Sequence, residues 1–259
     1  MARIGPARNC WEVNEERVSL LRPRPAPRRV QVPARPQDLE LDLARTACVV
    51  VDMQNDFCSP GGWLDSAGVD VSAARAPVGP LRSLLPPLRS QQVPVVWCNW
   101  GNRPDRANLP PGVLHVYDRE GSGTGIGELL PGKASRVLQR GEWSTRLVEG
   151  LSVEEEDLWV DKYRMSGFFD TELDSILRNL DVTTLLFAGV NLDQCVFHTL
   201  ADAACLGYDV VLLEDCCATT SPYFCVEATL HNVATCYGFV AAGEHLLARL
   251  DKAHAVVAT

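Results

Sequence analysis

Three residues stand where apolar runs of the chain give way to polar ones: Asp52 after TACVVV, Lys162 at the end of LWVDK, and Cys195 after FAGVNLDQ. Together they supply a carboxylate, an ammonium and a thiol. A cysteine at a helix start has its thiolate favoured by the helix dipole, and a nearby lysine lowers its pKa further, which makes a nucleophile. An aspartate within hydrogen-bond reach takes the thiol proton during attack and returns it to a leaving amine, as acyl transfer requires. The backbone amides of the turn GVNLDQC are then available to an oxyanion. Each residue alone has a plainer explanation: Cys195 as a small buried hydrophobe, Asp52 as a cap for the turn, Lys162 as a surface charge. Only the three together favour chemistry.

The elements that must position them follow from the pattern of the chain. TACVVVD is a short, nearly all-apolar run of the kind a parallel strand buried on both faces needs. Similar runs occupy 93–100, 157–162, 183–190, 209–215 and 238–242, which predicts six strands. Helical spacing lies between them at 171–180, 195–207 and 221–238, the last with Ser221 as its expected N-cap and Pro222 at the first helical position. Strand and helix in alternation predict a parallel α/β sheet covered on both faces, with right-handed crossovers. Ligands of such sheets bind beyond the carboxyl ends of the strands, where the three residues stand.

Two segments break this rhythm. Residues 101–145 are rich in glycine and proline and too long for a simple connection, so they are expected to form a lid-like insertion in a domain spanning 38–259. The insertion holds two nucleotide-binding decoys. Its glycines at 121, 123, 125 and 127 miss the dinucleotide spacing, and 127–134 resembles a phosphate loop except that Ala134 replaces the magnesium-binding hydroxyl. Residues 1–37 are expected to be an extended arm, since LRPRPAPRRVQVPARP packs five prolines and five arginines into sixteen residues. Such an arm has three open fates: disorder, a path across a neighbouring subunit, or contact with an acidic partner.

Composition narrows the classes of function. With 259 residues, 46% hydrophobic and 22% charged, the chain has enough apolar sequence for one large core and is not a disordered polymer. A formal charge of -9 argues against a nucleic-acid partner. No long apolar span or signal-like segment is visible, so no membrane partner and a cytoplasmic location are expected. Ten cysteines without a regular framework are expected to be mostly free thiols. The five histidines show no zinc spacing, and no metal or other cofactor is expected.

The segments VVVDMQNDFCSPGGWLD, DKYRMSGFFDTELDSILRNL and FAGVNLDQCV, in this order, resemble the isochorismatase-like cysteine hydrolases, and among them the ureidoacrylate, biuret and triuret hydrolases. The resemblance covers roughly residues 38–245. It implies a three-layer α/β/α fold with a six-stranded parallel sheet in the order 3-2-1-4-5-6. It also implies a triad of Asp52, Lys162 and Cys195, and a cis peptide between Val190 and Asn191 that aims the Asn191 amide beside that of Cys195 as an oxyanion hole. Leu192 departs from the threonine or serine often found three residues before the nucleophile. Around these motifs Phe57, Trp63, Asn99, Trp100, Tyr163, Phe168 and Phe169 are expected to wall a small planar ureido or amide substrate, Asn99 and Trp100 being best placed; elsewhere such aromatics are simply core. A homo-oligomer, dimer or tetramer, is expected. Nicotinamidase-like or carbamoylsarcosine-type amidases are the nearest alternatives, the former with a metal for which no histidine cluster follows Asp52. A peroxide-reactive thiol protein is a more distant one.

Overall fold

A computed structural model describes residues 1–257. The amino-terminal segment, expected as an extended arm, is folded in short pieces. Strands β1 (Ala2–Ile4), β2 (Trp11–Val13) and β3 (Val18–Ser19) form a small antiparallel sheet. After the proline-rich 20–28 stretch, β4 (Arg29–Val32) pairs antiparallel with β6 (Leu39–Asp42), while β5 (Ala34–Arg35) lies between them in sequence and pairs elsewhere. Alternation explains why β4 can dock: Val30 and Val32 are buried and Arg29 and Gln31 exposed.

The central sheet then runs through β7 (Thr46–Val51), β8 (Val95–Trp100), β9 (Leu158–Lys162), β10 (Thr184–Gly189), β11 (Asp209–Cys217) and β12 (Phe239–Ala241). These six are parallel, in the spatial order β12-β11-β10-β7-β8-β9. Read from the other edge, that is the expected 3-2-1-4-5-6. The strand count is corrected to seven, because β5 adds antiparallel to β12 and closes that edge. Every residue of β7, β8 and β10 is buried, as strands covered on both faces must be.

The helices are α1 (Asn55–Cys58), α2 (Trp63–Ser66), α3 (Val78–Ser90), α4 (Pro111–Tyr117), α5 (Leu173–Asn179), α6 (Phe197–Cys205), α7 (Tyr223–Asn232) and α8 (Gly243–Val257). The cap of α7 is Pro222 rather than Ser221, a shift of one residue. Trp97 and Cys98, adjacent on β8, must point to opposite faces, and their neighbours identify the two layers. Trp97 Nε1 donates to Asp157 at 2.8 Å, and Arg89 of α3 clamps the same carboxylate at 2.9 and 2.6 Å. Cys98 lies beneath Gly167, beside Leu173 of α5 and Thr199 of α6. α8 packs on α3.

The strand order reverses between β7 and β10, and the crevice there opens at the carboxyl ends of both. Gly189 ends β10 at φ +114, and a Cβ on it would lie 2.0 Å from the Val51 carbonyl oxygen. Only glycine lets the two strands approach this closely. Gly189→Ala is therefore expected to cost about 2–5 kcal/mol, from an unfavourable φ and a backbone clash. A urea midpoint unchanged from the parent protein would contradict this account.

Candidate active site

Asp52 follows β7 with φ 51, in the left-handed region that aspartate tolerates better than most residues. The turn brings its carboxylate over the end of β8. Oδ1 accepts the Trp100 N–H at 3.0 Å, and Oδ2 lies 2.8 Å from the Lys162 ammonium, an ion-pair contact. Lys162 ends β9, on the far side of β8, so the pair spans the top of the strand between them. Both side chains are essentially inaccessible, at 1% for Asp52 and 0% for Lys162. Lys162 also donates to the Arg164 carbonyl at 3.2 Å and sits 4.3 Å from the Trp100 ring centre, within cation–π range.

Gln54, buried two residues after Asp52, holds the same strand end. Its Oε1 shares the Trp100 N–H at 2.9 Å, and its Nε2 donates to the carbonyls of Trp100 and Thr145, both at 2.8 Å. The motif D-M-Q-N-D-F contained this residue, but nothing in its spacing distinguished a positioning amide from an ordinary polar one.

Cys195 does not open an α-helix directly. It sits in a wide π-type turn, Leu192–Val196, that leads into α6, and such turns recur at functional sites. The Thr199 hydroxyl donates to the Cys195 carbonyl at 2.6 Å and accepts the Gly167 N–H at 3.1 Å, tying the turn to the segment after Lys162. Trp100 Nε1 donates to Cys195 Sγ at 3.5 Å, and Sγ lies 3.6 Å from Met165 Sδ. The Asp52 carboxylate acts on the same thiol electrostatically. The Val190–Asn191 peptide is cis. Asn191 is fixed by its own side chain, whose Oδ1 accepts the Thr220 N–H at 3.2 Å, while its backbone N–H has no acceptor among the described residues. Leu192, buried and without a hydroxyl, holds the turn through its N–H, which donates to the Ala218 carbonyl at 2.8 Å.

Burial dominates the electrostatics. It pushes the Asp52 carboxyl up, against the opposing pull of Lys162 and the hydrogen bonds of Cys195 and Trp100. The ammonium of Lys162 loses solvation too, but the facing Asp52 and Cys195 hold its pKa above the ordinary value. The Cys195 thiol is pushed up to about 12 by burial, with Lys162 opposing and Asp52 reinforcing the shift. Burial thus works against the thiolate expected from a helix start and a lysine, while Lys162 pulls in the expected direction. A carboxylate of raised basicity is a better acceptor for the thiol proton.

A cavity of about 510 Å³ lies over Trp100 and Met165, which flank the sulfur, and takes its other walls from Val113, Val116 and Tyr117 of α4 and from Arg164, Phe169, His198 and Asp202. The 101–145 insertion thus contributes a helix to the site. It is anchored by a hydrogen bond from the Leu138 N–H to Asp56 at 2.6 Å and by buried Ile126, Leu130 and Val137. His198 Nδ1 meets the Gln194 carbonyl at 2.7 Å; a carbonyl can only accept, so Nδ1 carries a hydrogen.

The expected wall residues divide. Trp100 lines the cavity. Asn99 is fully buried with both side-chain amide atoms unpartnered, and strand alternation turns it to the face opposite Trp100. Phe57 packs edge-on against Trp63, which meets Tyr117, leaving Phe57 behind the ring layer. Tyr163 donates its hydroxyl to the Asp170 carbonyl at 3.1 Å, and Phe168 stacks on Tyr208; neither lines the cavity, whereas the exposed Phe169 does. Tyr117, Met165 and His198 were not singled out from sequence, although His198 is one helical turn beyond Cys195. Among the described residues no group of three or more His, Cys, Asp or Glu side chains is placed to hold a metal ion. None of the described helices is long and apolar enough to cross a membrane.

A doubly covered parallel sheet with this cluster at its switch point defines an isochorismatase-like α/β protein. The chain belongs to that family: the Isochorismatase domain model matches residues 46–245. It is 36% identical over 210 residues to the ureidoacrylate amidohydrolase RutB of Azorhizobium caulinodans, covering 81% of this chain and 92% of that protein. The protein of the same name from Stutzerimonas stutzeri is 37% identical over 213 residues, covering 82% and 85%. Among solved structures, a cysteine hydrolase from Pseudomonas syringae pv. phaseolicola superimposes with a TM-score of 0.69 at 27% identity, covering 82% of this chain and 95% of that one.

Two outcomes follow from this geometry. With the thiol pushed up to about 12, alkylation of Cys195 by iodoacetamide is expected to lag behind the exposed Cys205 and Cys236 at neutral pH. Its rate should climb about tenfold per pH unit on the alkaline side, whereas a plateau near neutrality, read by peptide mass spectrometry, would show a stable thiolate. Gln54→Leu frees the end of β8 and should lower turnover about a hundredfold, the scale of a misplacement near 1 Å, with the fold intact by circular dichroism.

Proposed function

We propose that the protein is a cysteine-dependent amidohydrolase, a hydrolase of carbon–nitrogen bonds other than peptide bonds, acting on a small linear ureido or carbamoyl substrate. The observation that carries this reading is the meeting of a buried carboxylate, ammonium and thiol next to Trp100 and Met165, two residues that line the cavity, in a turn whose Asn191 N–H is unengaged. Asp52 takes the thiol proton as Sγ attacks the substrate carbonyl carbon. The N–H groups of Asn191 and Cys195 receive the oxyanion, and Lys162 keeps the charge of the cluster balanced while Asp52 is protonated. Asp52 then gives its proton to the leaving nitrogen, and ammonia or an amine departs from a thioacyl enzyme. Water, deprotonated by Asp52, attacks the thioacyl carbon and restores the thiol.

The ureido preference rests on two supports. One is the resemblance to proteins named ureidoacrylate amidohydrolase. The other is the cavity, whose Trp100, Tyr117 and Phe169 rings offer flat walls and whose Arg164 and His198 offer polar contacts to a planar group rich in donors and acceptors. Ammonia release measured across ureidoacrylate, biuret, triuret, N-carbamoyl amino acids and nicotinamide tests this directly. A ureido compound should have the highest kcat/KM; a tenfold or greater preference for nicotinamide would refute the substrate class while leaving the triad standing.

Cys195→Ser should abolish turnover and retain substrate binding, because the site does not deprotonate an alcohol. Asp52→Asn and Lys162→Ala should each lower kcat by several orders of magnitude and the double variant little further, since both serve one proton transfer. Losses that multiply in the double variant would mean two independent roles.

A further inference from the structure

At the end of the sheet opposite the cavity, the amino-terminal segment meets the domain around a second depression of about 460 Å³. Its walls carry Arg8, Arg22 and Arg24 from the segment, and Arg45, Arg178 and Asp181 from the domain. Arg45 directly precedes β7 and Asp181 lies shortly before β10, so the depression sits beneath the amino ends of the two switch-point strands. A neighbouring hollow, also about 460 Å³, shares Arg8 and Arg24 and extends to Arg28, making one elongated groove. Five guanidinium groups against one carboxylate in the first hollow is a strong local excess of positive charge on a chain whose formal charge is -9.

The groove is built rather than loosely decorated. Arg8 donates to the Ala44 carbonyl at 2.9 Å, Arg22 to Asn9 at 2.6 Å, Arg45 pairs with Asp181 at 3.1 Å, and Arg178 with Asp174 at 3.0 Å. Asn9 also bonds Asn179, which fixes the segment to the end of α5 with a distance of 2.9 Å. These anchors use part of each five-donor fork and leave the rest unspent. Arg24 has no hydrogen-bond or ion-pair partner among the described residues. Half-buried Arg8 is held below its usual pKa by burial and by the charge of Arg28, a repulsion that a bound anion relieves.

We propose that this arginine groove binds an oligophosphate, free or as part of a nucleotide, and that the ligand fastens the amino-terminal segment to the domain. Planar forks bind phosphate oxygens in pairs, and a row of them along an elongated groove matches several linked phosphates better than one. The site is remote from Cys195 and takes no part in the hydrolysis.

The test uses the full chain without divalent metal, with calorimetry and thermal melting at ionic strength matched with sodium chloride. Tripolyphosphate and ATP should each bind and raise the Tm, and orthophosphate should bind at least about tenfold more weakly. Equal affinities for tripolyphosphate and ATP mean that the phosphate chain alone is read; tighter ATP binding means that the nucleoside adds contacts. Arg24→Ala removes a side chain the fold does not use, and should weaken binding about tenfold or more with the ligand-free Tm and the ammonia-release rate unchanged. Arg24→Lys should recover part of the loss, and Arg103→Ala, in the 101–145 insertion and outside the groove, should leave binding unchanged. Undiminished binding in Arg24→Ala, or a matched response to polyglutamate of equal charge, would overturn the proposal.

Discussion

The ion pair between Asp52 and Lys162 is the interaction around which the site is arranged. Two charges taken fully out of water repay their lost hydration only when geometry and further hydrogen bonds are favourable, and losing one partner strands the other at a cost of about 3–5 kcal/mol. The surroundings supply those further contacts. Trp100 gives its backbone N–H to Asp52 and its ring face to Lys162, and the Arg164 carbonyl takes a hydrogen of the ammonium. β8, which lies between the strands bearing the two charges, therefore serves as the mount for both. Gln54 fixes that mount by bonding the N–H and the carbonyl of Trp100 at once.

The same burial acts on the Cys195 sulfur. Burial opposes ionisation of the Cys195 thiol, pushing it up to about 12, and also raises the Asp52 carboxyl. The surface thiols Cys205 and Cys236 are the ones open to casual chemistry, while the site sulfur is guarded by Trp100 and Met165.

Long-range contacts also decide what surrounds the triad. The 101–145 insertion reaches the cavity because Asp56, one turn beyond the site, receives Leu138, and because the Tyr117 ring packs tilted against Trp63 and edge-on against Trp100. The amino-terminal segment reaches the other end of the sheet by a similar route, extending the edge through β5 and resting its arginines against the loops that precede β7 and β10. One sheet thus separates two chemically different ends: a largely apolar cavity above the strands and a cationic groove below them.

The sequence by itself determined the parallel α/β class, the six core strands and the placement of Asp52, Lys162 and Cys195 at strand ends or just beyond. Each of these is local: a β-branched apolar run fixes a buried strand, and a polar residue at its end must emerge at the sheet's rim. Tertiary structure alone decided the rest. Two-residue periodicity places Asn99 opposite Trp100 only once the strand is known to be buried on both sides, and which of Phe168 and Phe169 meets the cavity depends on Tyr208 claiming the first. In the amino-terminal segment, read as an extended arm from its prolines, β4 and β5 exist because β6 and β12 offer them edges, while β1–β3 pair with one another. The upward push on the Cys195 thiol likewise comes from desolvation, a property of everything packed around the sulfur, which no spacing of residues along the chain expresses.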